Sequence, residues 1–396
     1  MLIELIIFIL LGLALGTFTG LTPGIHINLV GAILISTASL SFFQINSIYL
    51  MALIVSMAIT HTFVDFIPSI FLGCPDTDTG LSVLPGHEML KQGKGYEAIA
   101  LALYGGFAAT ILLVLLSFPS TLIISNLYPL LIKGIAYILI VTSVFLIFLE
   151  KNKFSAFLAF SLSGILGLCV FNLDLKEPLL PLLTGLFGSS MIITSIKDKV
   201  KIPEQKITFP KITSSRPLFG SLIASLLCGF LPGLGSGQAA ILGTTLAKSN
   251  DKKDFLFLLG ATNVLVMGFS FISLYAISKT RTGAAVAVQE ILGELNIPSF
   301  VLILMIIFIS GIAAFFISML LAKYFSDKIA KINYDFISKI VLVILTSIIL
   351  LFSGIKGFLV FFVSTLVGIY CISLKVRRTQ MMGCLLLPTI FFYLMN

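Results

Sequence analysis

The stretch Gly20-Leu21-Thr22-Pro23-Gly24-Ile25-His26-Ile27-Asn28 has a second version, Gly229-Phe230-Leu231-Pro232-Gly233-Leu234-Gly235-Ser236-Gly237. Both are Gly-x-x-Pro-Gly breaks set between strongly apolar runs. Proline removes a backbone donor and clashes with the preceding turn, while glycine allows conformations that other residues avoid. In water such a break is an ordinary turn. Inside a bilayer the freed N–H and C=O groups are tolerated only where protein or a wet cavity satisfies them. Two matching breaks in two halves of a membrane chain therefore point to the binding site of a transporter.

Composition places the chain in a membrane. Hydrophobic residues make up 58% and charged residues 11%, with a mean hydropathy of +1.13. A soluble domain carries about 25% charge. The first apolar run, Leu2 to Leu15, has no basic leader and contains Glu4, so it reads as a transmembrane helix and not a signal peptide. The net charge of +8 sits in short loops between apolar runs, which is the positive-inside pattern and not a nucleic-acid surface. Five scattered cysteines without a C-x-x-C pair support neither a disulfide framework nor a zinc site. No Walker A, Rossmann, G-x-S-x-G or H-E-x-x-H pattern is present, so nothing points to ATP-driven transport or to a cofactor.

Apolar segments run over 2–20, 24–41, 48–72, 97–118, 128–149, 154–172 and 179–196. They resume over 217–231, 234–247, 255–278, 298–322, 338–354, 357–374 and 380–395. A full span needs about 20 residues, so the short segments 234–247 and 380–395 read as half-helices or re-entrant pieces. Placing the N-terminus outside puts 20 of the 25 Lys and Arg residues in the cytoplasm. The basic stretch 197–216 then divides a first repeat, 1–196, from a second, 217–396, each with seven apolar segments. An odd number means that the second repeat enters the membrane upside down. Gly105-Gly106-Phe107-Ala108-Ala109 is echoed by Gly311-Ile312-Ala313-Ala314-Phe315, Ser163 and Gly167 by Ser364 and Gly368, and Thr79-Gly80 by Thr282-Gly283. The expected fold is an all-α polytopic membrane protein of 12–14 transmembrane or re-entrant helices, arranged as an inverted repeat with Pro-Gly broken helices.

If both breaks re-enter toward the midplane, four half-helix ends converge there, and helix N-termini favour a carboxylate or phosphate. Pro23, Gly24, His26 and Asn28 in one copy, and Pro232, Gly233, Ser236, Gly237 and Gln238 in the other, are the expected substrate-binding residues. The alternative is that each Pro-Gly kinks a helix for packing only. A second constellation pairs Cys74-Pro75-Asp76-Thr77-Asp78-Thr79-Gly80 with Ser278-Lys279-Thr280-Arg281-Thr282-Gly283. Arg281 can grip an oxyanion bidentately, with Lys279 as a second positive point and Thr282 beside them. Asp76, Thr77, Asp78 and Thr79 suit a coupling cation or a gate pair, unless both stretches are simply solvated loops. His61 and Asp65 lie four apart on one helical face, with Asn263 at the corresponding place in the second half. A proton relay, a cation ligand and a structural hydrogen bond all fit that pair. Leu84-Pro85-Gly86-His87-Glu88-Met89-Leu90-Lys91-Gln92-Gly93-Lys94-Gly95 reads as a cytoplasmic connector, and its His and Glu are too few for a metal site.

These residues resemble the large permease subunit, of TctA type, of tripartite tricarboxylate transporters. Three stretches carry the likeness: Gly16 to Gly31; Phe71 through Pro75, Gly86, Met89 and Lys91-Gln92-Gly93-Lys94 to Gly105-Gly106; and Pro181-Leu182-Leu183-Thr184-Gly185-Leu186-Phe187-Gly188 with Arg216, Gly220 and Gly229 to Gly235. The resemblance implies a secondary transporter permease for carboxylates in the cytoplasmic membrane, coupled to Na⁺ or H⁺. It also implies a small membrane subunit and an extracytoplasmic binding protein as partners; the chain's own reading adds lipid, a small anionic substrate and a homodimer as an option. The family's large permeases are longer, so this is a shortened variant, and its second Pro-Gly-rich turn is here Lys279-Thr280-Arg281-Thr282-Gly283. Two other readings use the same residues. A flippase for a polyprenyl phosphate would use the basic turn and the helix ends. A membrane-embedded metal-dependent hydrolase would gather His26, His61, Asp65 and Asp76 around an ion.

Overall fold

The computed structural model describes residues 2–22, 46–72, 79, 83–132, 134–175, 178–197, 202–211, 214–230, 235–248, 251–280, 282–329 and 334–395. Helices and short connections make up these residues, with no strand among them. In the first half they are α1 (Leu2–Leu21), α2 (Ser47–Val64), α3 (Phe66–Leu72), α4 (Val83–Lys91), α5 (Gly95–Leu115), α6 (Ser117–Ile132), α7 (Ile135–Phe148), α8 (Lys153–Phe171) and α9 (Leu179–Leu183). A π-turn, Thr184–Ser189, leads from α9 into α10 (Ser190–Lys197). The second half has α11 (Arg216–Phe230), α12 (Ser236–Ala247), α13 (Lys252–Ile277), α14 (Gly283–Leu292), α15 (Ile297–Ile329) and α16 (Tyr334–Ser373). A 3₁₀ turn, Arg378–Met382, then leads into α17 (Gly383–Met395).

Local chemistry sets these limits. Asn46, Asn152 and Asp251 accept backbone N–H bonds from Ile48, Ser155 and Lys253 and so cap α2, α8 and α13. Helix α1 stops two residues before Pro23 and α11 two residues before Pro232, as the restricted backbone ahead of a proline requires. Pro68 would clash with the Val64 carbonyl in a continuous helix, and the chain accordingly turns at Asp65 between α2 and α3. Among the described residues seven helices are long and apolar enough to cross a membrane: α1, α2 with α3, α5, α8, α13, α15 and α16. This is an all-α polytopic membrane fold. One detail differs from the segment pattern: helix α6 occupies part of what reads as a loop between 118 and 128. Within α16 the non-helical Gly354 (φ 62°) divides two helical stretches at the boundary between the segments 338–354 and 357–374. The segment 24–41 lies outside the described residues.

Among the described residues, extensive helix packing occurs within two sets. One holds α1–α6 with α11–α15; the other holds α7–α10, α16 and α17 with the π-turn and the 3₁₀ turn. In the first set two helices are buried along almost their whole length, Ser47–Leu72 (α2 with α3) and α13. A helix apolar on every face is one surrounded by others. Helix α2 packs against α1 and α15, and α13 against α11 and α5. Each central helix is thus clasped by the first helix of its own half and by the glycine-bearing helix of the other. The second set repeats the exchange: α8 of the first half packs on α17 of the second, and α16 of the second on the π-turn of the first.

Glycine makes the closest of these approaches. A Cβ on Gly105 would strike the Phe257 carbonyl, and one on Gly260 the Ala102 carbonyl, so α5 and α13 touch backbone to backbone, as small residues permit in membranes. The stretch 202–211 is docked as a strap over the connector between α4 and α5. Gln205 accepts from the Gly95 N–H (2.7 Å) and donates to the Leu90 carbonyl (3.1 Å), while the Lys206 N–H donates to the Gly93 carbonyl (2.8 Å). On the same face Lys253 pairs with the buried Glu97 at 2.6 Å and Lys252 with Glu88.

Candidate functional site

The polar centre of the first helix set lies where α1, α2 and α13 meet. Asp65, held at the turn that Pro68 enforces, is 4% exposed, and His61 and Asn263 are 3% exposed. The Asn263 amide Nδ2 donates to the Thr62 carbonyl (3.1 Å) and to Asp65 Oδ2 (3.4 Å). His61 Nδ1 lies 3.1 Å from Thr19 Oγ1. The i, i+4 spacing does put His61 and Asp65 on one helix, but they serve different neighbours: His61 reaches α1 and Asp65 reaches α13. Asn263, the counterpart residue of the second half, meets the acidic turn of the first. Two ionisable side chains and an amide in the interior of a membrane bundle are expensive to place there, and such groups mark ion or substrate paths.

The two Thr-Gly turns are tied into the helices that precede them. Thr79 is fully buried, and its carbonyl accepts from Ser69 Oγ of α3 at 3.3 Å. In the second half the Ser270 hydroxyl of α13 lies 2.5 Å from Thr280 Oγ1 and 2.7 Å from Thr282 Oγ1, and accepts from the Thr282 N–H at 3.2 Å. Thr280 Oγ1 in turn donates to the Ser270 carbonyl at 3.0 Å. Thr79 and Thr282 are therefore buried in protein, while Lys279 points outward, its ammonium 5.5 Å from the centre of the Tyr128 ring. Ser69, Ser270 and Thr19 escaped the sequence reading because single hydroxyls are common in membrane helices. A usable signal was there: Ser69 precedes Thr79, and Ser270 precedes Thr280, by ten residues.

At the second break, α12 begins with Ser236, Gly237 and Gln238, all buried. Gln238 Oε1 accepts from the Gly235 N–H at 2.8 Å, closing the first turn of the helix. That bond fixes the amide plane and leaves Nε2, also buried, with no hydrogen-bond partner among the described residues. A buried amide donor without an acceptor costs about 1–3 kcal/mol, so this group is set to receive one. Pro23, Gly24, His26, Asn28, Asp76, Thr77, Asp78, Pro232, Gly233 and Arg281 lie outside the described residues. Among the described residues no three His, Cys, Asp or Glu side chains gather in a way that would hold a metal ion.

A protein of Methanocaldococcus jannaschii described as "Uncharacterized protein MJ1079" is 29% identical to this chain over 405 residues, covering 98% of the chain and 99% of that protein. The shortened length is therefore shared with this relative. No solved structure matches the chain. The sequence model of one family matches residues 6–383, nearly the whole of the helical chain described above, and the chain belongs to that family, the tripartite tricarboxylate transporter TctA family.

Proposed function

We propose that the chain is the permease of a secondary transporter that carries a small organic anion, a carboxylate, by alternating access. The observation that carries this reading is Gln238: a buried amide donor without a partner among the described residues, in the first turn of α12, a helix that begins four residues after Pro232 of the Pro-Gly sequence. A carboxylate oxygen supplies the acceptor, and the helix N-terminus favours its charge. The first break, with His26 and Asn28, would supply the facing half of the site, and Arg281 the attracting charge. Asp65, which shares the Asn263 amide donor with the Thr62 carbonyl, is our candidate for handling the Na⁺ or H⁺ that drives uptake, with Asp76 and Asp78 as gate residues.

The exchange of partners between the halves supports an inverted repeat over 1–196 and 217–396, and the distribution of Lys and Arg supports an N-terminus outside the cytoplasmic membrane. Members of this family are components of tripartite systems, and we extend to this chain a small membrane subunit and an extracytoplasmic binding protein. The test is thermal unfolding of the purified protein against di- and tricarboxylates, amino acids and prenyl phosphates, each with and without Na⁺. A ligand at 100 times its Kd adds about 2.7 kcal/mol. We expect a carboxylate to stabilise the protein and the Gln238→Leu and Arg281→Ala variants to lose that response. A response to prenyl phosphate alone would replace this reading with the flippase, and no carboxylate response in any condition would overturn it.

A further inference from the structure

The basic stretch 197–216 joins the two halves, and the strap 202–211 within it supplies a cap that α5 lacks. Lys94, at the N-cap position of α5, makes no side-chain cap bond, and the first N–H groups of a helix have no partner within it. Gln205 fills this role from 110 positions away: its Oε1 accepts from the Gly95 N–H at 2.7 Å. The same amide donates through Nε2 to the Leu90 carbonyl, in the last turn of α4, at 3.1 Å, and to the Pro203 carbonyl of the strap at 2.6 Å. One side chain thus joins the end of α4 to the start of α5. The Lys206 N–H adds a backbone bond to the Gly93 carbonyl at 2.8 Å.

Two glycines of the connector make room for the strap. A Cβ on Gly93, which sits at φ +75°, would come within 2.9 Å of the Glu204 carbonyl, and one on Gly95 within 2.8 Å of Gln205 Oε1. From the other side α5 is held by α13: Glu97 in its first turn pairs with Lys253 at 2.6 Å. Between the linker and these helix starts lies a cavity of about 270 Å³, lined in part by Lys211 and Ser214 of the linker, Leu101 of α5, and Asp251, Lys253 and Phe257 at the start of α13. A polar space of that size holds several waters. Apart from Ile202, which packs partly buried against the core, the strap's large apolar side chains Ile207 and Phe209 are exposed. Phe209 meets the Tyr96 ring edge-on, with centroids 6.0 Å apart. The strap's hold on the bundle is therefore polar and local, as in segments that open without the rest of a protein.

We propose that the strap 202–211 is a releasable latch on the α4–α5 connector. Docked, Gln205 caps α5 and fixes α4 to it. Released, the strap uncovers the Gly95 N–H and the Leu90 and Gly93 carbonyls, and frees the connector to move while the glycine contact between α5 and α13 stays closed. Water entering from the cavity supplies the partners that the strap gives up. The link between the two halves thereby sets the mobility of the first helix set at this face. The latch works whether or not the chain carries a carboxylate, and stands or falls separately from that reading.

The experiment is hydrogen–deuterium exchange, read by mass spectrometry, on the purified full-length protein in phosphatidylcholine nanodiscs. We expect peptides covering 93–97 and 204–208 to open together. Their exchange should be about tenfold or more slower than in an unstructured chain, and about 100-fold or more faster than in the middle of α13. Gln205→Ala should speed exchange in both peptides about tenfold and leave α13 unchanged. Glu204→Gln, an exposed neighbour on the strap, should behave like the wild type. An unprotected strap would overturn the proposal, because it would not be docked. Exchange as slow as that of α13 would overturn it too, because the strap would then be a fixed part of the bundle. So would a Gln205→Ala variant in which the 93–97 peptide exchanges as in the wild type, because Gln205 would then not cap α5.

Discussion

At the scale of single residues, the side chains that matter are those whose bonding is incomplete or whose charge is confined. Replacing Gln238 by Leu keeps the volume of the helix start and removes the donor. Because a hydrogen bond to a charged group is worth roughly 1.5–3 kcal/mol, we expect substrate affinity to fall about 10- to 100-fold, read by the thermal-shift titration. Asp65→Asn keeps the bond from Asn263 and removes the charge, and is expected to uncouple uptake into proteoliposomes from the Na⁺ or pH gradient. Uptake still driven by the same gradient would remove Asp65 from the coupling role. His87 makes a prediction about pH. Burial, then the neighbouring Lys91 and Arg378, lower its pKa from the ordinary 6.5 to about 4, against a raising effect of the Ile70 carbonyl. Between those values the unfolded chain binds a proton that the folded protein refuses, so stability falls as the pH drops from about 6.5 to 4. The loss is on the order of 3 kcal/mol at most. Denaturation midpoints measured across that range should flatten in His87→Gln.

At the scale of elements, the α5–α13 contact is the most exacting. Gly105→Leu or Gly260→Leu would force backbone from backbone, and overpacking of this kind costs about 1–3 kcal/mol or more. Either variant should show a lowered unfolding midpoint in detergent, and Gly134→Leu, at an open turn, should not. Much of this level is readable from residue types. The prolines place the ends of α1 and α11 and the turn at Asp65, and Gly105-Gly106 marks a tight helix crossing. What escapes is any partner choice that depends on three-dimensional closure. That His61 binds Thr19 while Asp65 binds Asn263 follows from which helices flank α2, and no local spacing encodes it. Helix α6 escapes for a different reason: Ser117, Pro119, Ser120 and Thr121 look like a turn, yet Pro119 sits in the first turn of a helix, where its missing N–H costs nothing.

At the scale of the whole molecule, the exchange of helices between the halves is the organising feature, and the count of apolar runs hinted at it only through its odd number. The upside-down relation that we propose for the two halves predicts opposite exposure of equivalent loops. In a background where the exposed Cys169 is replaced by Ser, a cysteine placed at position 279 should react in intact cells with a membrane-impermeant maleimide. One placed at position 94 should react only after permeabilisation. Equal reactivity of both in intact cells would refute the topology.

The same exchange bears on how the protein is made. The Asn263 bond to the Thr62 carbonyl joins residues 201 positions apart, and α2 also waits for α15. When the first half leaves the ribosome, His61 already has Thr19 of α1, but Asp65 has neither Asn263 nor the later helices to shield it, and lipid gives such a group no partner. The polar centre is therefore completed only when both halves are in the membrane, and a chain cut within the basic stretch 197–216 leaves Asp65 without its Asn263 partner.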